Sequence, residues 1–310
     1  MKTRGSGFIS ILPTLTFVTL FTYLPSAFGA GEACSIVFSD LESQRNAKIA
    51  HDSITADLFS GEIIEVRRFN ENDNKHALFM VKIRATDPYT GNVRYREAFF
   101  KPRVWGDEDG WARTPMEYVG YFLNLRLKMD YVPPTAYRRG LNIEMDGQKF
   151  TEGSLLIKAS GFRPVASFPN AKFPISHDGI ISDNRILNVI MQNQDGHTWN
   201  MGTAKHWVDG KEEPIFLDFA GSMRQGTNVS MTNYPAFGNT APVTKVRAST
   251  LLALRQLNKA DLQPLVSAGF ISDGESNQML NITKGIVAYF DGLIGQAKQK
   301  GKLNEVLLDE

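Results

Sequence analysis

The period of the apolar residues changes once along the chain, and that change limits the folds open to it more than any other feature. Three β-rich runs come first: Glu62-Ile-Ile-Glu-Val-Arg-Arg-Phe69, His76-Ala-Leu-Phe-Met-Val-Lys-Ile83 and Val93-Arg-Tyr-Arg-Glu-Ala-Phe-Phe-Lys101. β-branched and aromatic residues in short runs suit a pleated, half-buried surface. The polar turn Asn70–Lys75 and the cluster Asp87-Pro-Tyr-Thr-Gly-Asn92 separate them, so three consecutive antiparallel strands are expected. In the last third the apolar residues Met279, Ile282, Ile286, Phe290, Leu293 and Ala297 recur near a period of 3.6, which predicts a helix from about Gly274 to Lys298. A shorter helix is expected from Val246 to Leu257. Strands first and helices last, with no repeat of 20–50 residues, point to an α+β fold and away from solenoids and propellers.

Between these ends the signals are local. Thr114-Pro115-Met116-Glu117 has a threonine to cap a helix, a proline at its first position and a glutamate where a capping box places one. That helix should run to about Met129 and stop before Pro133-Pro134. Phe150–Ile157 reads as a strand, and a short helix is expected to follow Ser182-Asp183. Met201–Val208 and Pro214–Phe219 flank Asp209-Gly210, a strong hairpin dipeptide. His206 and Trp207 read as hairpin residues without chemistry.

Composition narrows the function classes. Lys2 and Arg4, an apolar stretch from Phe8 to Leu24 and small residues at Ala27 and Gly29 read as a secretory signal peptide over residues 1–29. The whole chain carries a formal charge of +1; losing Lys2 and Arg4, with no acidic residue in the leader, gives +1 − 2 = −1. A nearly neutral chain argues against nucleic-acid binding, which needs a large positive field. The single cysteine, Cys34, cannot form an internal disulfide, so an exported bacterial protein is a better fit than an extracellular animal domain.

The chemistry is concentrated in Asn193-Gln-Asp195-Gly-His197-Thr-Trp-Asn200 and, beyond the hairpin, Ile215-Phe-Leu-Asp218-Phe-Ala-Gly-Ser222. A loop aspartate, an asparagine five residues on and a strand-terminal aspartate offer one base and two oxygen ligands. Phosphoryl transfer needs that combination, because the phosphate charge must be neutralised by Mg²⁺ and the accepting hydroxyl oriented by a carboxylate. Upstream, Lys101 ends the third strand and Glu117 lies in the following helix, the order in which a kinase places its phosphate-holding ion pair.

These motifs resemble the atypical protein-kinase-like fold of HipA-type kinases, phosphatidylinositol 3- and 4-kinases and the secretory-pathway kinases related to four-jointed. Phe99-Phe-Lys101-Pro102 is similar to the segment around their nucleotide lysine. Glu117 through Val132-Pro-Pro-Thr135 is similar to their glutamate-bearing helix and Val-Pro-x-Thr segment, and Asn193-x-Asp195-x-His197-x-x-Asn200 to the HipA-like catalytic loop. The resemblance covers roughly residues 60–225. It implies a two-lobed fold, with a β-rich N-lobe over residues 30–155 and a mostly helical C-lobe over 156–310. It further implies ATP with Mg²⁺ or Mn²⁺, Asp195 as catalytic base, His197 as support for the loop, Lys101 and Glu117 at the nucleotide, and Asn200 and Asp218 at the metal. Relatives often have Arg where this chain has Gly196, Gly221 lies one position later than in Asp-Phe-Gly, and the Asn70–Lys75 turn has no glycine.

The expected activity is therefore an exported, periplasmic or secreted, kinase-like phosphotransferase with a protein, sugar or lipid acceptor. An exported kinase needs an ATP-containing space, so a host-cell target is an expected partner. Two other readings remain open: a secreted pseudokinase acting as a binding module, and a metallophosphoesterase suggested by Asp195-Gly-His197, whose downstream Gly-Asp and Gly-Asn-His motifs are missing.

Overall fold

The computed structural model describes residues 41–69, 78–87, 89–103, 113–145, 147–168, 178–224, 227–234 and 242–308. The expected signal peptide, Cys34 and the Asn70–Lys75 turn lie outside them. The described chain is α+β.

It begins with a helix the sequence did not announce, α1 (Leu41–Ser60). From His51 on, only Ile54 and Leu58 enter the core, while Ile49 and Phe59 are exposed. Two buried apolar positions are too few to reveal a period. Three strands follow, β1 (Glu62–Arg68), β2 (Phe79–Thr86) and β3 (Val93–Pro102), paired antiparallel in sequence order as expected. In β2, Phe79, Val81, Ile83 and Ala85 are buried, while Lys82 and Arg84 on the other face are exposed. The same alternation in β3 turns Ala98 and Phe100 into the core formed with α1 and Phe99 and Lys101 to the opposite face. Asp57 of α1 fixes the helix on the sheet by accepting from Arg94 at 2.8 Å and Arg96 at 3.0 Å.

Helix α2 (Pro115–Arg126) starts where the proline predicts, with Thr114 as N-cap. The expected capping box does not form. The Thr114 side chain makes no cap hydrogen bond, and its Oγ1 is buried without a partner. Glu117 is fully buried and turned away from the cap. Two strands then complete a five-stranded antiparallel sheet in the order β1-β2-β3-β5-β4: β4 (Thr135–Met145) and β5 (Gln148–Ile157). β4 was not anticipated. Residue 155 falls inside β5, and α2, though earlier in the chain, packs in the second, helical core.

That core is built from α2, α3 (Asp178–Ile190), α4 (Ala248–Gln256), α5 (Lys259–Ser267) and α6 (Asp273–Gln299). α3 begins before Ser182-Asp183 rather than after it. Both residues are fully buried inside the helix, where Ser182 Oγ donates to Lys245 O at 2.5 Å and Asp183 pairs with Arg247 and accepts from Thr250 at 3.0 Å. Their polarity serves tertiary contacts, not a cap. A three-stranded sheet combines β6 (Arg163–Pro164), β7 (Met201–Lys205) and β8 (Glu212–Phe216), and β7–β8 is the expected hairpin, with Gly210 at φ +72°. β9 (Val246–Arg247), within the expected short helix, instead pairs in parallel with β10 (Leu307–Leu308). No helix among the described residues is long and apolar enough to cross a membrane.

Candidate active site

All six residues singled out from sequence meet in one region. Strand alternation puts Lys101 on the sheet face away from α1, and there its Nζ lies 2.5 Å from Glu117 Oε1 and 2.9 Å from Asp218 Oδ1. The two partners are 16 and 117 residues away in sequence. The second oxygen of Glu117 accepts from the backbone N–H of Phe219 at 3.2 Å. One buried carboxylate thus joins the end of β3, the first turn of α2 and the segment after β8. Gly120, one turn along α2, makes this approach possible: a Cβ there would stand 2.6 Å from the Phe219 ring.

Burial opposes the Lys101 charge, but Asp218 and Glu117 outweigh it and hold the ammonium above its usual pKa. Burial pushes the Glu117 carboxyl above the usual carboxylate range, with Lys101 opposing. Asp218 occupies the left-handed region at φ +64°, which an aspartate tolerates better than most residues. Such conformations persist where the surroundings over-determine them. Here Asn193 Nδ2 donates to Asp218 O at 3.1 Å, and the next residue is tied to Glu117.

The loop before β7 is organised around Asp195. Asn200 Nδ2 donates to Asp195 O at 2.8 Å and to Oδ2 at 3.2 Å, and His197 Nε2 stands 3.1 Å from Oδ1. The Trp199 N–H donates to His197 Nδ1 at 3.1 Å. That leaves Nε2 as the protonated nitrogen, directed at the carboxylate. Both ring nitrogens of His197 are thus engaged within this loop. Burial, and next the charge of Asp218, raise the Asp195 pKa above the usual aspartate value. Two carboxylates feel one another across the site. Because Asn200 directs its nitrogen at Asp195, its oxygen is the atom it offers to a cation.

Asn193, Asn188 and Tyr234, to which the sequence alone gives no role, set the loop. Asn193 is fully buried; its Oδ1 accepts from Asp195 N at 3.1 Å, its Nδ2 donates to Asn188 Oδ1 at 2.8 Å, and its carbonyl accepts from Tyr234 Oη at 3.0 Å. The position of Asn193 two residues before the aspartate was its one available signal. Gly196 also acquires a reason. A Cβ there would fall 2.2 Å from Tyr234 Oη and 2.5 Å from the Asn188 amide, so this packing leaves no room for a side chain.

Neither a protein-family model nor any curated protein matches this chain.

Proposed function

We propose that the chain is a kinase-like phosphotransferase, moving the terminal phosphate of ATP to a hydroxyl acceptor, with the sheet core and the helical core as its two lobes. The observation that carries the reading is the Lys101 ammonium shared between Glu117 and Asp218, beside a loop carboxylate held by His197 and Asn200. A lysine placed by a buried glutamate supplies fixed positive charge for phosphate oxygens.

The donor set suits Mg²⁺ or Mn²⁺. Asp218 and Asn200 offer oxygen ligands, which hard cations prefer, and the mutual repulsion of Asp218 and Asp195 marks a place where divalent charge is stabilising. When bound, the metal neutralises charge on the phosphates. The other roles belong to the chain itself. Glu117 orients Lys101, and Lys101 holds phosphate oxygens. Asp195, made more basic by burial and by Asp218, orients the acceptor hydroxyl and takes its proton as the new oxygen–phosphorus bond forms. ADP leaves as the old bond breaks. His197 and Asn200 fix the carboxylate, so little reorganisation is needed during the reaction. With both nitrogens of His197 engaged inside the loop, it serves better as a prop than as the metal ligand a phosphoesterase would require.

The test is incubation of purified protein with labelled ATP and Mg²⁺ or Mn²⁺, following nucleotide consumption and label incorporation. Transfer that disappears in Asp195→Asn supports the reading. Nucleotide binding without transfer points to the pseudokinase alternative, and the absence of both overturns the proposal.

A further inference from the structure

A second cluster of chemistry-bearing side chains lies outside this site. His51 of α1, Asp130 of the segment after α2, and His206, just after β7, come together with 5%, 9% and 8% of their surface exposed. His51 Nε2 is 2.8 Å from Asp130 Oδ1, and His206 Nε2 is 3.3 Å from Oδ2. One candidate ligand atom from each lies within 4.8 Å of the other two.

The protons do not satisfy this arrangement. Trp207 Nε1, which can only donate, points at His51 Nε2 from 3.1 Å. A ring nitrogen accepting that bond carries a lone pair and no proton, with the proton on Nδ1 facing Tyr121 Oη at 3.0 Å. Nε2 then has no proton to give Asp130 Oδ1, the buried carboxylate oxygen 2.8 Å away. Two acceptors facing each other away from water repel strongly. Placing the proton on Nε2 instead leaves the Trp207 N–H without an acceptor. A cation between His51 and Asp130 replaces that repulsion by attraction to both, at the expense of the Trp207 N–H, which gives up Nε2.

We propose that His51 Nε2, Asp130 and His206 Nε2 form a binding site for a zinc-class divalent cation that joins α1 to the β7–β8 hairpin. Two imidazoles and one carboxylate are a ligand set that zinc favours over magnesium. Ligands at about 2.0–2.2 Å from a tetrahedral zinc stand roughly 3.3–3.5 Å apart. The His51–Asp130 contact is shorter than that and the His206–Asp130 contact close to it, with one ligand atom of each residue within 4.8 Å of the others, so binding needs only small side-chain shifts, and water completes the fourth position. Outer partners are in place. Tyr121 Oη receives the Nδ1 proton of His51, and Asp209 Oδ1 lies 3.9 Å from His206 Nδ1. In the free protein the Val208 N–H donates to that Nδ1 at 3.3 Å, so His206 carries its proton on Nε2. Binding moves it to Nδ1, toward Asp209, and the Val208 N–H gives up that acceptor. Such outer hydrogen bonds fix the ring tautomer of a metal-bound histidine.

The experiment uses the full chain, stripped with chelator and titrated with ZnCl₂ by calorimetry, with CoCl₂ as a spectroscopic probe and X-ray absorption on the zinc-loaded protein. One zinc per chain is expected, with imidazole scattering in the absorption spectrum, visible tetrahedral cobalt bands and a raised Tm. His51→Gln and His206→Gln should each weaken zinc by at least roughly 100-fold. Asp218→Ala should leave zinc binding unchanged, which separates this site from the metal position at the candidate active site. No zinc uptake, uptake without imidazole scattering, or loss in Asp218→Ala with retention in both histidine variants overturns the proposal. The absorption measurement on unaltered protein decides the matter even where a variant fails to fold.

Discussion

Replacing Glu117 with glutamine isolates one charge in a fully buried position. If Glu117 were a helix-cap residue, glutamine would keep the acceptor, and stability would change by a few tenths of the roughly 0.5–2 kcal/mol that caps contribute. The structure predicts otherwise. Glu117 has no exposed surface, pairs with Lys101 at 2.5 Å and accepts from Phe219 N at 3.2 Å. Removing one member of a buried ion pair costs about 3–5 kcal/mol, because the other charge is left uncompensated. Lys101 keeps Asp218 at 2.9 Å and is 20% exposed, and burial works against the Glu117 charge, so the cost falls below that range, to about 2–3 kcal/mol. For a chain of this size that corresponds to a fall in Tm of about 4–9 °C. Phosphoryl transfer should fall much further, since in the proposed reaction the misplaced lysine holds phosphate. Urea unfolding and the kcat/KM for ATP measure the two effects. Lys101→Met combined with Glu117→Gln removes both charges and should recover part of the stability but none of the activity. A Glu117→Gln protein within about 0.5 kcal/mol of wild type, with full turnover, would refute the ion-pair assignment.

Three further outcomes are expected. Asp195→Asn should abolish transfer and leave Mg·ATP affinity nearly intact by calorimetry, whereas Asp218→Ala should weaken that affinity directly; equal losses would reject the division of labour. The folded-state pKa of Asp195 is raised, first by burial, so its contribution to stability is present below the unfolded value and lost as pH rises through the folded one. At neutral pH the asparagine variant should therefore melt no lower than wild type, and the acid limb of wild-type kcat/KM should lie above the usual aspartate pKa of about 3.9; a clearly destabilised variant contradicts the sign. Gly196→Ala should cost about 1–3 kcal/mol through overpacking against Tyr234 and Asn188, and Tyr234→Phe in the same chain should restore part of it; full stability of the single variant would mean the loop is looser than its contacts indicate.

Some elements were legible because the information was local. β1 to β3 are named by β-branched and aromatic runs between turn clusters, α6 by its apolar period, and the β7–β8 hairpin by Asp209-Gly210. The candidate site was legible for a similar reason: Asp195, His197 and Asn200 share one short loop, and Lys101, Glu117 and Asp218 fall at element ends. Other elements were not. α1 hid because, from His51 on, it buries two apolar residues and uses Asp57 and His51 for its other contacts. β4 hid because Arg138, Arg139 and Gly140 interrupt its apolar pattern.

What the sequence by itself determined is the order of elements and the residue types brought to the site, since period and turn chemistry act over a few residues. Only the tertiary structure decided which partner each polar group takes. Glu117 had a good local partner in its cap and went instead to Lys101 and Phe219; Ser182 and Asp183 looked like a helix start and became buried links to Lys245, Arg247 and Thr250. His206, without chemistry as a hairpin residue, meets Asp130 and His51 from two other elements. The physical reason is common to all three. A buried charge or donor must be matched wherever the packed chain places a complement, and that distance is set by the fold, not by separation along the chain.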